Sequence, residues 1–296
     1  MCFTGGPPDV QSGEDVQNGE RGRDRSLIRS PVNCNSFMLH YETSGSPDSP
    51  PVCFLHGFMG ASRDWNLITE ALHDDAFCIR VDLPGHGRSL HRPAYEYSME
   101  GATQALADVL DDAGVRECNL VGYSMGGRAA LYFAIHHPGR VRTLILESAS
   151  PGLTSSVARN ARRMVDAERA NSIRRDLLGF LAKWYRMPLF ASLEQHGLVE
   201  SMIDMRSTND PEEIARALES LSVGAQPSLW ERLQDLHIPA LACTGELDPK
   251  YVNIVRHMAM GSHQMDTVIV PNAGHCVHAE RPQAFLAHLV HFLSRN

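Results

Sequence analysis

The chain has 296 residues and a formal net charge of −8, with 43% apolar and 21% charged side chains. That length suits one α/β domain with an insertion, and the composition argues against a fibrous, repeat or wholly disordered chain. The acidic balance speaks against nucleic acid or anionic lipid as a partner, because both need clustered Lys and Arg, and no run reaches the ~18 apolar residues that span a bilayer.

Residues 1–30 are rich in Gly, Pro, Asp, Glu and Arg and poor in aromatic or branched apolar side chains. They cannot bury enough surface to offset the entropy of ordering, so a disordered N-terminal tail is expected there. The tail lacks the basic start and apolar stretch of a signal peptide, which points to a cytoplasmic protein. Cysteines 2, 34, 53, 78, 118, 243 and 276 are odd in number and show no CxxC or Cys/His metal spacing, which suits a reducing compartment and small apolar core roles.

From residue 37 the pattern becomes short apolar runs bounded by turn signals. VCFL (52–55), CIRVD (78–82), CNLVGY (118–123), TLILE (143–147), ALACTG (240–245) and TVIV (267–270) read as buried parallel strands. Helical patterns lie between them: 98–113 with a capping Ser98 and a closing Gly114, 125–137 ending before Pro138, and 282–293. Strand and helix alternate, so the expected class is α/β with a mostly parallel central sheet flanked by helices. The alternation stops over 151–226, where only helical patterns occur (ARNARRMVDAERA, DLLGFLAKWY, PEEIARALESL). The expected division is therefore a first core segment at 31–150, an inserted helical cap at 151–226, and a second core segment at 227–296.

Gly122-Tyr123-Ser124-Met125-Gly126 matches G-x-S-x-G directly after a strand and directly before a helix, the context of a nucleophile elbow in the α/β-hydrolase fold. The glycines permit a cramped turn, and the new helix aims its first N–H groups at developing negative charge. Two backbone donors, Met125 after the serine and Phe58 in His56-Gly57-Phe58-Met59-Gly60, would form an oxyanion hole, with His56 holding that loop. Chain order then requires an acid and a histidine after later strands. Asp248 in GELDPKY and His275 in PNAGHCVH meet that requirement, with Glu246 and His278 as the nearest substitutes. None of the 15 histidines forms HExxH or another ligand pattern, and no phosphate-binding glycine loop occurs, so neither a metal nor a nucleotide cofactor is expected. The turn DLPGHGRS (82–89) is read as architectural.

Beyond these shared motifs the chain resembles one family, SHCHC synthase (MenH), the pyruvate-eliminating enzyme of menaquinone and phylloquinone biosynthesis. The resemblance is carried by GFMGASRDW (57–65), VDLPGHGRS (81–89), LVGYSMGGRAA (120–130), WYRMPLFASL (184–193) and SLSVGAQPSLWERL (220–233), with ESASPGL (147–153) and GELDPKY in place. It covers roughly residues 36–295, and its cap segments are the most specific, since caps vary widely on this fold. It implies an elimination in which triad-activated Ser124 is a general base and no acyl-enzyme forms. It further implies a polycarboxylate substrate gripped by Arg128, Arg162 and Arg206, with Arg159 and Arg163 as alternative registers for Arg162, and a pocket lined by Tyr123, Trp184, Tyr185 and Phe190. Met125 departs from the leucine usual in the family, and the tail has no counterpart there.

Two other functions remain open: a serine hydrolase of the same fold, cleaving an ester or a carbon–carbon bond through covalent attack, and a ligand-binding protein without turnover. Three cap-facing arginines separate the synthase from a simple esterase, whose cleft would be mostly apolar. The oligomeric state is left at a monomer or small homo-oligomer.

Overall fold

The computed structural model describes residues 38–296, so the tail expected at 1–30 lies outside the described residues. Seven strands form one sheet: β1 (Tyr41–Ser44), β2 (Pro51–Leu55), β3 (Phe77–Val81), β4 (Cys118–Tyr123), β5 (Val141–Glu147), β6 (Ala240–Gly245) and β7 (Met265–Val270). Their order is β1-β3-β2-β4-β5-β6-β7. All neighbours are parallel except β1, which runs antiparallel to β3 at the edge. The six strands expected from apolar runs are present, and β1 is an addition. Its sequence, YETS, is half-buried throughout and offers no apolar run to read.

Successive strand residues point to opposite faces, and the two faces bury different sets. Cys53, Leu55, Ile79, Leu120 and Leu144 pack with α2 (Met99–Asp112) and α3 (Met125–His136), through Leu106, Leu110, Leu131 and Phe133. Val52, Phe54, Val121 and Ile145 pack with α1 (Asn66–Ala71) and the C-terminal helix, through Ile68, Phe285 and Leu289. Burial on both faces explains why the central strands read as continuous apolar runs. The N-terminal turn of α2 is capped as expected, the Ser98 hydroxyl accepting from the Gly101 N–H at 3.0 Å.

Between β5 and β6 lie α4 (Ser156–Arg175), α5 (Leu177–Trp184), α6 (Ala191–Gln195), α7 (Val199–Arg206) and α8 (Pro211–Ser220). After β6 come α9 (Pro249–Gly261), α10 (Val277–Glu280) and α11 (Pro282–Leu293). The five inserted helices have their own apolar cluster, including Ala170, Ile173, Leu181, Ile214 and Ala215, which closes onto Met59 and Cys276 of the core. Polar contacts fasten the same seam: Asn209 Nδ2 donates to the Met59 carbonyl at 2.9 Å, the His91 N–H donates to Glu213 Oε2 at 2.9 Å, and the Tyr97 hydroxyl also donates to Glu213. Among the described residues no helix is long and apolar enough to cross a membrane.

Phe54 is fully buried and tilts against Trp65 with ring centroids 5.3 Å apart. Truncation by Phe54→Ala should therefore cost about 3–5 kcal/mol, read as a lower midpoint in urea denaturation without a change of slope.

Candidate active site

The loops that follow β2, β4, β6 and β7 all leave the same edge of the sheet, because these strands are parallel. On an open α/β sheet that edge is where ligands bind. Ser124 sits there at φ 50°, ψ −102°, between the end of β4 and the first turn of α3. A Cβ at Gly122 would lie 2.6 Å from the Gly126 carbonyl, and one at Gly126 would lie 2.4 Å from the His56 and Leu55 carbonyls. The turn is therefore closed to any residue but glycine at both flanks. The Ser124 N–H donates to the Glu147 carbonyl at 2.8 Å, tying the elbow to β5.

The structure brings together the three residues singled out from chain order. Ser124 Oγ lies 3.1 Å from His275 Nε2, and His275 Nδ1 lies 2.8 Å from Asp248 Oδ2. Both partners of the serine are buried, His275 2% and Asp248 5% exposed. The second oxygen of Asp248 caps α9 by accepting from the Tyr251 N–H at 3.2 Å, which leaves Oδ2 aimed at the imidazole. Such an arrangement lets the imidazole take the serine proton while the carboxylate fixes its tautomer and stabilises its charged form. The two substitutes are elsewhere: Glu246 accepts from the Asn272 N–H, and His278 is buried against Glu147, with Nδ1 2.8 Å from Oε2.

His275 is held from behind by a carboxylate that sequence reading missed. Glu280 accepts from the N–H groups of Gly274 and Cys276, the residues on either side of the histidine, at 2.6 and 3.1 Å. Its spacing within PNAGHCVHAE carries no motif that marks this role.

The N–H of Phe58 and that of Met125 have no partner among the described residues, and both residues line the cavity that contains Ser124 and His275. His56 holds this loop as expected. Its Nδ1 meets the Gly57 carbonyl at 2.8 Å, and its Nε2 accepts from the Leu83 N–H at 3.0 Å, which fixes the tautomer. Burial pushes the His56 imidazole down to about 4 and, with repulsion from His56, that of His86 down to about 3. The DLPGHGRS turn is architectural: Asp82 accepts from the N–H groups of Ser62 at 2.6 Å and Arg88 at 2.9 Å.

The cavity holds about 460 Å³ and is lined by eleven of the twelve residues read as its site, Ser124, His275, Phe58, Met125, Tyr123, Arg128, Arg162, Trp184, Tyr185, Phe190 and Arg206, while Asp248 stands behind His275. Aromatic contacts order its wall: Trp184 meets Phe58 edge-on at 5.6 Å, and Phe190 meets His275 edge-on at 5.8 Å. The three arginines differ in their electrostatic state. Arg128 is half-buried and donates to the Gln226 Oε1 and the Leu221 carbonyl at 2.8 and 2.7 Å, both neutral acceptors; desolvation pushes its guanidinium down to about 10. Arg162 donates Nε to Asp166 at 2.7 Å, keeping its terminal nitrogens. Arg206 gives both terminal nitrogens to Asp64 at 2.7 Å each. Of the alternative registers, Arg159 donates to the Leu153 and Thr154 carbonyls and Arg163 to the Gly224 carbonyl, and neither lines the cavity.

Asp64, like Lys250 and Tyr251, is a cavity residue that sequence reading did not single out. Burial works to raise the Asp64 carboxyl, but the charge and hydrogen bonds of Arg206 hold it below the usual range. Asp64→Asn leaves a buried guanidinium without its carboxylate and should destabilise the fold by about 3–5 kcal/mol in urea denaturation, with Asp64→Asn/Arg206→Met recovering most of the loss. The buried histidines set a pH dependence. Their folded values lie below the ordinary 6.5, so the stability they contribute is complete above 6.5 and is lost as pH falls toward 4. Each steepens the decline by up to about 1.4 kcal/mol per pH unit. Urea midpoints measured from pH 7 to 4 should show this fall, and His86→Asn should make it shallower.

Comparison with known proteins agrees with this architecture. Residues 50–282 match the family model for the alpha/beta hydrolase fold. A Bacillus subtilis protein carrying the 2-succinyl-6-hydroxy-2,4-cyclohexadiene-1-carboxylate synthase name is 37% identical over 249 residues, 81% of this chain and 89% of that one. The synthase of the same name from Serratia proteamaculans is 35% identical over 251 residues, 84% and 95% of the two chains. The solved structure of MenH from S. aureus superposes with a TM-score of 0.83 at 32% identity, covering 86% of this chain and 98% of that one. With its elbow, histidine loop and cap all inside the matched region, the chain belongs to the SHCHC synthase family of the α/β-hydrolase superfamily.

Proposed function

We propose that the protein is a carbon–oxygen lyase that eliminates pyruvate from 2-succinyl-5-enolpyruvyl-6-hydroxy-3-cyclohexene-1-carboxylate. The product is the 2,4-cyclohexadiene of menaquinone or phylloquinone biosynthesis, made without a cofactor. The observation that carries this reading is Arg128, a half-buried guanidinium four residues past the nucleophile whose partners are neutral. A partly desolvated cation without an acid is costly, and a carboxylate of the substrate supplies the missing charge through a forked pair.

Ser124 Oγ takes the ring proton next to the succinyl ketone as its own proton passes to His275 Nε2, and Asp248 stabilises the imidazolium. The N–H groups of Phe58 and Met125 stabilise the negative charge that spreads onto the ketone oxygen. As the ring double bond shifts, the bond between ring C5 and the ether oxygen breaks, the departing enolate takes up the proton held by His275, and the resulting enol ketonises to pyruvate. Arg128, Arg162 and Arg206 grip the carboxylates, and Tyr123, Trp184, Tyr185 and Phe190 exclude water around the ring. Arg206 enters this set with its charge balanced by Asp64, so it contributes less attraction than Arg128. The polar substrate and product, and the free, buried Cys53, Cys78, Cys118, Cys243 and Cys276, suit a cytoplasmic setting.

The test follows diene absorbance and pyruvate release on freshly made substrate. Wild type should produce both together, and Ser124→Ala should lower kcat about 100- to 10,000-fold with the fold intact by circular dichroism. A wild type that matches the spontaneous rate but cleaves aryl esters well would make the protein a serine hydrolase instead.

A further inference from the structure

The reading above leaves one cation of the cavity without a role. Lys250 lines the same space as Ser124 and Arg128 and is exposed, which puts it at the mouth. Among the described residues its ammonium has no carboxylate within ion-pair reach, and its one resolved contact is with the Tyr251 ring, Nζ 5.4 Å from the centroid. Of the other charged side chains lining the cavity, Arg206 is matched by Asp64 and Arg162 leans on Asp166, so Lys250 and Arg128 are the two cations without an acid.

The position of Lys250 is unfavourable for the fold itself. It is the second residue of α9, whose N-cap is Asp248. A cation there faces the positive end of the helix dipole, where acids are stabilising and bases are not. Burial and repulsion from Arg162 push its ammonium below the ordinary range. The charge of Asp248 at the N-cap offsets these costs only in part, since the ammonium still lies below its ordinary range, and an anion entering the cavity would offset the rest.

We propose that Lys250 is a substrate-binding residue whose ammonium pairs with a carboxylate at the cavity mouth while Arg128 holds another inside, an inference that rests on the polycarboxylate reading of the substrate. The division of labour follows from the two side chains. A guanidinium fork held in place by Gln226 and Leu221 fixes orientation, while a hydrated ammonium on a four-carbon stem attracts an anion and releases it readily. The carboxylate at the mouth is therefore that of the fragment that leaves.

Steady-state pyruvate release by the whole protein, compared for wild type, Lys250→Gln and Lys250→Arg at low and high salt, tests this. Lys250→Gln should raise KM about 5-fold, the worth of a partly solvated ion pair, with kcat changed by less than about twofold, as loss of uniform binding requires. Lys250→Arg should restore KM, and the rise of KM with salt should be weaker in Lys250→Gln than in wild type. An unchanged KM in Lys250→Gln, or a fall in kcat alone, overturns the proposal while leaving the lyase reading intact. A wild type that releases no pyruvate overturns both.

Discussion

A serine between a buried strand and a buried helix can hold φ 50° only if the residues around it leave room for the chain to reverse. Gly122 and Gly126 provide that room, and the price of any side chain there is a collision with backbone that cannot move. Every other part of the site is arranged about this turn. The β2 loop closes on it so tightly that a Cβ at Gly126 would lie 2.4 Å from the Leu55 and His56 carbonyl oxygens, and β5 takes the serine N–H through Glu147. His275, after β7, then meets the hydroxyl, and Asp248, after β6, meets the far side of the imidazole, in an order set by the parallel sheet.

The charges around this turn form a graded series. Arg206 and Asp64 neutralise each other in a buried, two-pronged pair that joins α7 to the loop carrying Phe58. Arg162 shares Asp166 with Arg169 and with the Ser222 hydroxyl, so it is aimed by a buried carboxylate yet keeps donors to spare. Arg128 has neutral partners alone. Unbalanced positive charge is thus left inside the nucleophile's cavity, on Arg128 and on Lys250, where an anionic ligand gains most and a neutral ester gains nothing. That gradient, more than the triad, distinguishes an elimination on a polyanion from hydrolysis on the same scaffold.

Much of this was legible in the chain itself. The central strands are buried on both faces and so announce themselves as apolar runs, and α2, α3 and α11 carry their caps and breakers in sequence. The elbow, the acid and the histidine were legible because their spacing relative to strands is dictated by the fold. β1 was not, since a four-residue edge strand with half-buried residues has no pattern to detect. Asp64, Glu280 and Lys250 were missed for a different reason. Asp64 meets Arg206 across 142 residues of chain and Lys250 matters through the cavity it lines, while Glu280, only four and six residues from the N–H groups it accepts, sits in a spacing that no motif marks. The same limit applies to the arginines: family resemblance singled out three of them, but only packing distinguishes the paired from the unpaired.

The histidine loop is interlocked with the helices above it. His196 Nε2, just past α6, lies 3.0 Å from the Asn272 carbonyl. Ser192 of α6 presses on Gly274 so closely that a Cβ there would lie 1.9 Å from its hydroxyl, and Glu280 binds the same loop from below. As evolutionary parts, then, the inserted helices and residues 272–280 are one inheritable unit. A lineage that exchanged the insertion for another, or an engineer building chimeras, would have to carry the histidine segment along with it, so substrate range and proton-transfer geometry change together on this scaffold.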